Sequence, residues 1–533
     1  MLTIDCAENE TILSAMVRQK IQYRSDCGGR GTCGKCKIQV IIGRLDSTIQ
    51  DRKIFTEEEL QEGYRLSCKA FPSEDVTIKL LSRDEVGMEV VTENRINLSD
   101  HKANIEGKTD NYVIGIDLGT TTLAVSLVNI ASHEIIRTYS AINPQKAYGA
   151  DVISRMKVSI EGKGDQLRYS VQKCLLEGIL SVLRESGIKI SNIEKIAIAG
   201  NTTMGHLLMG YSCETLGVFP FTPVNIDTIE VDFQDIFLVE LFKNNSMLEY
   251  RNDEKADLHQ LQKVPVVILP GISTFVGGDI VAGLSVCGFD TAKKPCLLID
   301  LGTNGEMALG NRERILVTST AAGPAFEGGN ISCGVGSIPG AISHFIINGE
   351  ENIYETIGNK TPVGICGTGV VEIASELFKA NLVDETGLLV DEYFNDGFPI
   401  SDNQTIIFTQ KDIRELQLAK AAVRAGIEVL VKKYGITLQQ IDKVYLAGGF
   451  GYKIDVEKAI HIGLLPEELR GKILVIGNSS LAGAIEYLTE PNIKEKIERI
   501  LSLAEEIHLS NDDDFYDMYL KYMSFGKSDR FSE

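Results

Sequence analysis

The apolar positions of this 533-residue chain change their spacing twice. Over residues 1–84 they come in short runs. MLTIDC, KIQVIIG and VTIKLL predict strands, the last two rich in β-branched residues, and TILSAMVRQK predicts a helix after the first strand. Residues 85–110, which include VTENRINLSDHKANIEGKTD, are polar without a sustained period and predict a linker. From Tyr112 the pattern becomes that of an α/β region, with helical stretches such as DIRELQLAKAAVRAGIEVLVKKYG. Two segments share one form: YVIGIDLGTTTLAVSLV from Tyr112 and CLLIDLGTNGEMALG from Cys296. Each is an apolar strand ending in Asp-Leu-Gly-Thr, then small or hydroxyl residues, then a second strand, the layout of a β-hairpin with a Gly-rich tip. Asp117 and Asp300 hold the same place in the two, 183 residues apart, which predicts a duplicated lobe with halves at about 111–295 and 296–510. Residues 511–533 are acidic and aromatic and read as a surface tail or a docked helix.

Composition narrows the class. A 44% hydrophobic content and this length allow three or four domain-sized units with large buried cores. The richest apolar stretch, VPVVILPGISTFVGGDIVAGL, is broken by Pro, Gly and Asp, so no membrane span is expected. A net charge of -21 repels phosphate backbones and argues against nucleic acid as a partner. The start MLTIDCAENE lacks a basic segment followed by an apolar core, and eleven cysteines are too sparse for a disulfide scaffold; both predict a cytoplasmic protein.

The cysteines carry the first chemistry. CGGRGTCGKC, Cys27 to Cys36, has phosphate-loop spacing from Gly29 to Lys35. Cys36, however, stands where a Ser or Thr should reach Mg²⁺, and the run leads into a strand instead of a helix, which excludes that reading. With Cys68 of GYRLSCKAF, the set Cys27, Cys33, Cys36 and Cys68 is Cys-x5-Cys-x2-Cys followed by a fourth cysteine after 31 intervening residues. Three thiolates on a Gly-rich loop plus one distant thiolate suit a [2Fe-2S] centre, because Gly28, Gly29, Gly31 and Gly34 let backbone N–H groups turn toward the sulfurs. Structural zinc sites usually bring two short Cys pairs, and the second pair is missing. Cys6 reads as a core residue of the first strand.

The twin turns carry the second. A polyphosphate held between two lobes needs backbone donors and hydroxyls from both sides, with carboxylates for hydrated Mg²⁺. Asp117 and Asp300 supply those carboxylates; Gly119, Thr120, Thr121 and Thr122 line one side, and Gly302, Thr303 and Asn304 the other. Glu306 reads equally well as a hairpin surface charge and is left out. In KVYLAGGFGYKID, Gly448, Gly449 and Phe450 form either a close-approach surface for a flat ligand or a tight strand-to-helix turn. Asp279 in FVGGDIVAGL opens a helix, where a carboxylate also serves as a cap. The Gly-rich run Ser319–Ile342 offers further backbone donors, with Cys333 in it as packing. His206 reads as a core histidine.

These motifs resemble known families. Residues 1–84 resemble a β-grasp ferredoxin domain with the x5 gap of the adrenodoxin-like branch. The two Asp-Leu-Gly-Thr turns followed by Gly-Gly-Phe-Gly resemble the superfamily of actin, heat-shock chaperone ATPases, sugar kinases and acetate kinases, over about residues 111–510. That resemblance implies a two-lobed ribonuclease-H-like (actin-like) ATPase domain binding ATP and Mg²⁺, so the fold class is α/β and α+β multidomain. It implies that Asp279, 21 residues before Asp300, is the general base or water positioner. It implies that Gln417, Lys420 and Arg424, on one helix face, contact adenine and ribose, a solvated face being the alternative. IAIAGNTTMGHLLMG and VIGNSSLAGA fall where the connecting motifs lie.

The whole architecture resembles the reductive activators of corrinoid proteins. It implies ATP-dependent transfer of an electron from the [2Fe-2S] cluster to the Co(II) corrinoid of a partner protein or methyltransferase, restoring Co(I) in anaerobic one-carbon metabolism. An upstream electron donor is implied, and a homodimer suggested. The short gap from Gly107 to Tyr112 leaves no room for the extra middle domain that some relatives carry. Competing readings are an activator of 2-hydroxyacyl-CoA dehydratases or benzoyl-CoA reductases, for which Cys366 lacks a downstream second cysteine, a small-molecule kinase with a redox-sensing appendage, and a nucleotide-switched chaperone or filament protein.

Overall fold

A computed structural model describes residues 1–7, 10–19, 21, 29, 31, 36–43, 45–72, 74–80, 111–237, 259–349, 351–402 and 404–526. Cys27, Cys33, Gly28, Gly34 and the expected linker 85–110 lie outside the described residues.

The N-terminal unit is a four-stranded sheet of β1 (Leu2–Ile4), β2 (Lys37–Ile42), β3 (Tyr64–Leu66) and β4 (Val76–Leu80), in the order β1-β4-β2-β3. Alternation sends Ile38, Val76 and Ile78 to one face, where they pack with Ile4, Leu66 and Leu13 and Met16 of the helix Ile12–Arg18. The expected strands and helix are present, and β3 joins them. Lys37 pairs with Leu66, so the register leaves Cys36 and Cys68 just beyond the paired ends of β2 and β3.

The large region contains two six-stranded sheets. The first is built from β5 (Tyr112–Leu118), β6 (Thr122–Asn129), β7 (Ile135–Ile142), β8 (Ile193–Gly200), β9 (Ile229–Asp232) and β10 (Pro265–Ile268), in the order β7-β6-β5-β8-β10-β9. Beyond it, β11 (Cys296–Leu301), β12 (Gly305–Gly310) and β13 (Ile315–Thr320) lead into a small three-stranded sheet of β14 (Ala341–Asn348), β15 (Glu351–Thr356) and β16 (Gly364–Ile365) and the short pair β17 (Phe398–Pro399) and β18 (Ile407–Phe408). The second six-stranded sheet is completed by β19 (Lys443–Ala447), β20 (Ile473–Gly477) and β21 (Ala504–Glu506), in the order β20-β19-β11-β12-β13-β21. In both, an antiparallel meander starts at a central strand whose other edge pairs in parallel with a later strand, and that strand with another. The repeated topology is the duplication that the two Asp-Leu-Gly-Thr turns announced. The central strands are buried on both faces, which is why Val113–Ile116 and Leu297–Ile299 read as continuous apolar runs.

The helices Gly278–Val286 and Ser479–Thr489 cross each other between the two sheets, with Ala282 against Gly483 at the contact. The second of these packs on β5 and β8, so the chain returns to the first sheet late in its course. The C-terminal residues are a docked helix instead of a free tail: Asp513–Lys521 lies on the long helix Gln410–Tyr434, and Phe525 enters the second-lobe core. Among the described residues no helix is long and apolar enough to cross a membrane.

Candidate functional site

The twin hairpin tips face each other across one cleft. Asp117 and Asp300 sit near the ends of β5 and β11, and Glu306 on β12 is paired directly opposite Asp300. Asp279 enters from the first turn of the helix Gly278–Val286 and accepts a hydrogen bond from the Ile280 N–H at 2.9 Å. Asp117 is held from the far side of the fold: Asn478 Nδ2 and Ser480 Oγ donate to its two oxygens at 2.8 and 2.7 Å. Burial raises the pKa of Asp117, and these two donors oppose it. Burial, then the Asp117 charge, raises Asp279 to about 7. Burial, then Asp279 and Asp117, raises Asp300 to about 7. Glu306 is pushed well above the carboxylate range by burial and by Asp279 and Asp300. Four mutually repelling carboxylates with hard oxygen donors fit a hydrated divalent cation, which would remove the repulsion.

The rest of the cleft suits an anion. The helices starting at Thr202, Gly278, Gly367 and Ser479 all present their N-terminal ends, through Asn201, Asp279, Thr368 and Ser480. Thr120 accepts from Asn201 Nδ2 at 2.9 Å, which fixes the first turn. Gly448 has φ +90°, and a Cβ there would meet Asp300 Oδ1 at 2.5 Å, so only glycine lets β19 turn so near the carboxylate. Phe450 stacks on Phe326 with ring centroids 4.8 Å apart.

The structure therefore brings together Asp117, Gly119, Thr120, Thr121, Thr122, Asp279, Asp300, Gly302, Thr303, Asn304, Gly448, Gly449 and Phe450. It places Gln417, Lys420 and Arg424 elsewhere, which corrects the adenine-and-ribose expectation. Their helix face is covered by the C-terminal segment. Gln417 Nε2 donates to the Thr386 and Met523 carbonyls. Lys420 is fully buried and donates to the carbonyls of Tyr522 and Ser524, both at 2.6 Å. Arg424 pairs with Glu428 and stacks on Tyr522. Burial, with Arg424 adding, draws the Lys420 pKa down to about 7.

Sequence reasoning missed Glu306, Glu327, Asn478 and Ser480. A signal existed for Glu306, since folding the hairpin at Gly302-Thr303-Asn304 sets it across from Asp300. For Asn478 and Ser480 the resemblance marked only their segment, VIGNSSLAGA, and nothing local indicated that they reach Asp117 across more than 360 residues of chain. His206 is a satisfied buried histidine, with Nδ1 against the Thr202 carbonyl and Nε2 accepting from the Val224 N–H.

In the N-terminal unit, Cys36 and Cys68 are buried with their Sγ atoms 3.3 Å apart, and Gly29 of the loop lies against Cys68. Two apposed thiols under a glycine loop fit two ligands of one iron–sulfur cluster. Cys6 keeps its proton, its pKa raised to about 11 mainly by burial.

A ferredoxin-type domain joined to a duplicated two-lobe fold with a carboxylate-and-amide cleft defines a redox protein coupled to an actin-type domain. Known proteins agree. Residues 2–73 match a 2Fe-2S iron-sulfur cluster binding domain, residues 112–242 the RACo middle region, and residues 294–532 the C-terminal domain of RACo, the ASKHA domain. Corrinoid activation enzyme RamQ from Eubacterium limosum is 32% identical over 82% of this chain and 74% of its own length. The [Co(II) methylated amine-specific corrinoid protein] reductase of Methanosarcina barkeri is 26% identical over 78% of this chain and 77% of its own length. A solved structure titled reductive activator for corrinoid,iron-sulfur protein covers 99% of this chain and 97% of its own, at 27% identity and a TM-score of 0.68. The chain belongs to the family of reductive activators of corrinoid proteins. The match at 112–242 also corrects the expectation that a middle domain is missing: the family's middle region is the part of this chain that begins at β5.

Proposed function

We propose that this protein uses Mg-ATP to drive a single electron from its [2Fe-2S] cluster onto the Co(II) corrinoid of a partner protein, returning it to Co(I). The observation that carries this reading is the presence in one chain of the apposed Cys36 and Cys68 thiols and of the cleft between the twin turns. Cys27, Cys33, Cys36 and Cys68 would hold the cluster, which supplies one-electron transfer when bound. Asp117, Asp279, Asp300 and Glu306 would hold hydrated Mg²⁺, while the turn amides, Thr hydroxyls and helix N-termini receive the phosphates. Asp279, in the first turn of its helix and lining the same cleft as Asp300, would orient the attacking water.

Lobe closure on the nucleotide has consequences at the partner only if open and closed lobes bind it with different affinity. Each tenfold difference shifts a one-electron equilibrium by about 59 mV. The dehydratase-activator alternative is disfavoured by Cys366, which is buried with its Sγ directed to the Ile342 carbonyl and Thr368 and presents no thiolate at a surface. The test mixes the reduced protein with a Co(II) corrinoid protein, with and without Mg-ATP, and follows the cobalt absorption spectrum. A Co(I) signal that requires Mg-ATP is expected; its absence with every corrinoid partner tried would overturn the proposal.

A further inference from the structure

The cleft contains a fifth carboxylate that the metal-and-phosphate reading leaves without a task. Glu327 ends the short turn Pro324–Glu327, within the Gly-rich run that follows β13. Thr121 of the first turn donates to its two oxygens at 3.1 and 3.0 Å, and Thr303 of the second donates at 2.8 Å. The two threonines are themselves 3.4 Å apart. One side chain of the second lobe therefore ties a threonine of each hairpin turn to the other.

The hydroxyls it occupies are those that the twin turns offer to a phosphate chain. A carboxylate and a phosphate are both anionic acceptors, so they compete for these donors and repel each other at close range. A second group bears on where the carboxylate can go. Arg155, fully buried behind the first turn, donates from Nε to the Gly149 carbonyl at 2.9 Å, and its Nη2 makes no hydrogen bond. Burial draws its pKa down to about 9, with Asp151 and Glu327 partly offsetting that. Glu327 thus already lies within the field of a buried guanidinium that has a donor to spare.

We propose that Glu327 is an internal anion seated where the phosphate chain binds, so that nucleotide must displace it from Thr121 and Thr303 to engage both lobes. This rests on the nucleotide reading of the cleft and deepens it. Displacement converts phosphate binding into release of a fixed tie between the turns, which couples site occupancy to lobe position.

The test measures Mg-ATP and Mg-tripolyphosphate affinity for the full-length protein, for Glu327→Ala and for the near-isosteric Glu327→Gln. Removing the competing acceptor is expected to tighten both ligands about tenfold in the Ala variant and less in the Gln variant, the scale of one net charge-assisted hydrogen bond. Trypsin digestion without ligand should also become faster, since the tie is gone. Weaker or unchanged binding of both ligands by the variants would overturn the inference and make Glu327 an ordinary packing or ligand-holding residue. Failure of the wild-type protein to bind Mg-ATP would instead remove the nucleotide reading beneath it. Tightening is the informative sign, because damage to the fold can only weaken binding.

Discussion

Replacing Asp300 with Asn should stabilise the metal-free fold while abolishing its activity. Asp300 and Asp279 each titrate at about 7, against an ordinary range near 4, because burial and neighbouring carboxylates oppose their ionisation. Between pH 4 and 7 the unfolded chain has released a proton that the folded protein keeps. The fold then binds more protons, so its stability falls as pH rises through that window, and the loss is complete above 7. At 1.36 kcal/mol per pH unit, one such carboxylate costs about 4 kcal/mol, part of it shared with Asp279. The measurement is thermal unfolding of both proteins in EDTA from pH 4.5 to 8. The Asn variant should melt higher at pH 8, by on the order of 5 °C for a unit of this size, with the gap closing toward pH 4.5. Added Mg²⁺ should raise the wild-type midpoint and leave the variant unmoved, and ATP-dependent cobalt reduction should be lost. An Asn variant that melts below wild type at pH 8 in EDTA, or a gap that ignores pH, would refute the reasoning.

Three further outcomes follow from other parts of the molecule. Cys36→Ser should lose bound iron and the visible absorption of the reconstituted cluster while basal ATP hydrolysis stays within twofold of wild type, as checked by iron assay and phosphate release. Lys420→Met strands the Tyr522 and Ser524 carbonyls and should cost about 3 kcal/mol in denaturant unfolding. The nucleotide affinity of its folded fraction should not change, whereas a tenfold loss would restore the adenine-contact reading. At Gly367 a Cβ would lie 1.7 Å from the Phe326 carbonyl oxygen, so Gly367→Ala must displace the turn that carries Glu327; a loss of more than about 3 kcal/mol in stability is expected, read as soluble yield and midpoint.

Much of the site is legible in the amino-acid sequence because its parts are local. A strand that ends in Asp-Leu-Gly-Thr sets its own backbone turn, and a Cys-x5-Cys-x2-Cys loop sets its own thiol spacing, so residue order alone pointed to Asp117, Asp300 and the cysteines proposed to hold the cluster. Asp279 was reached only through the superfamily resemblance, because a carboxylate at a helix start reads equally well as a cap. Other members resisted. The face bearing Gln417, Lys420 and Arg424 is polar and regularly spaced, which fits a ligand surface, a solvated surface or a surface covered by another segment equally well. Which of these holds depends on the C-terminal residues, whose carbonyls and rings cover it.

What the sequence by itself determined was the chemistry of short contiguous pieces: two phosphate-type turns, four thiols, a duplicated strand pattern, and from these the family. What only the tertiary structure decided was which distant groups meet them. Asn478 and Ser480 reach Asp117, Glu327 ties Thr121 to Thr303, and Glu306 turns from a surface charge into a cleft carboxylate. The reason is physical: a turn's conformation is fixed by the few residues that make it, whereas a contact across hundreds of residues is fixed by sheet register and helix packing, which no local pattern encodes.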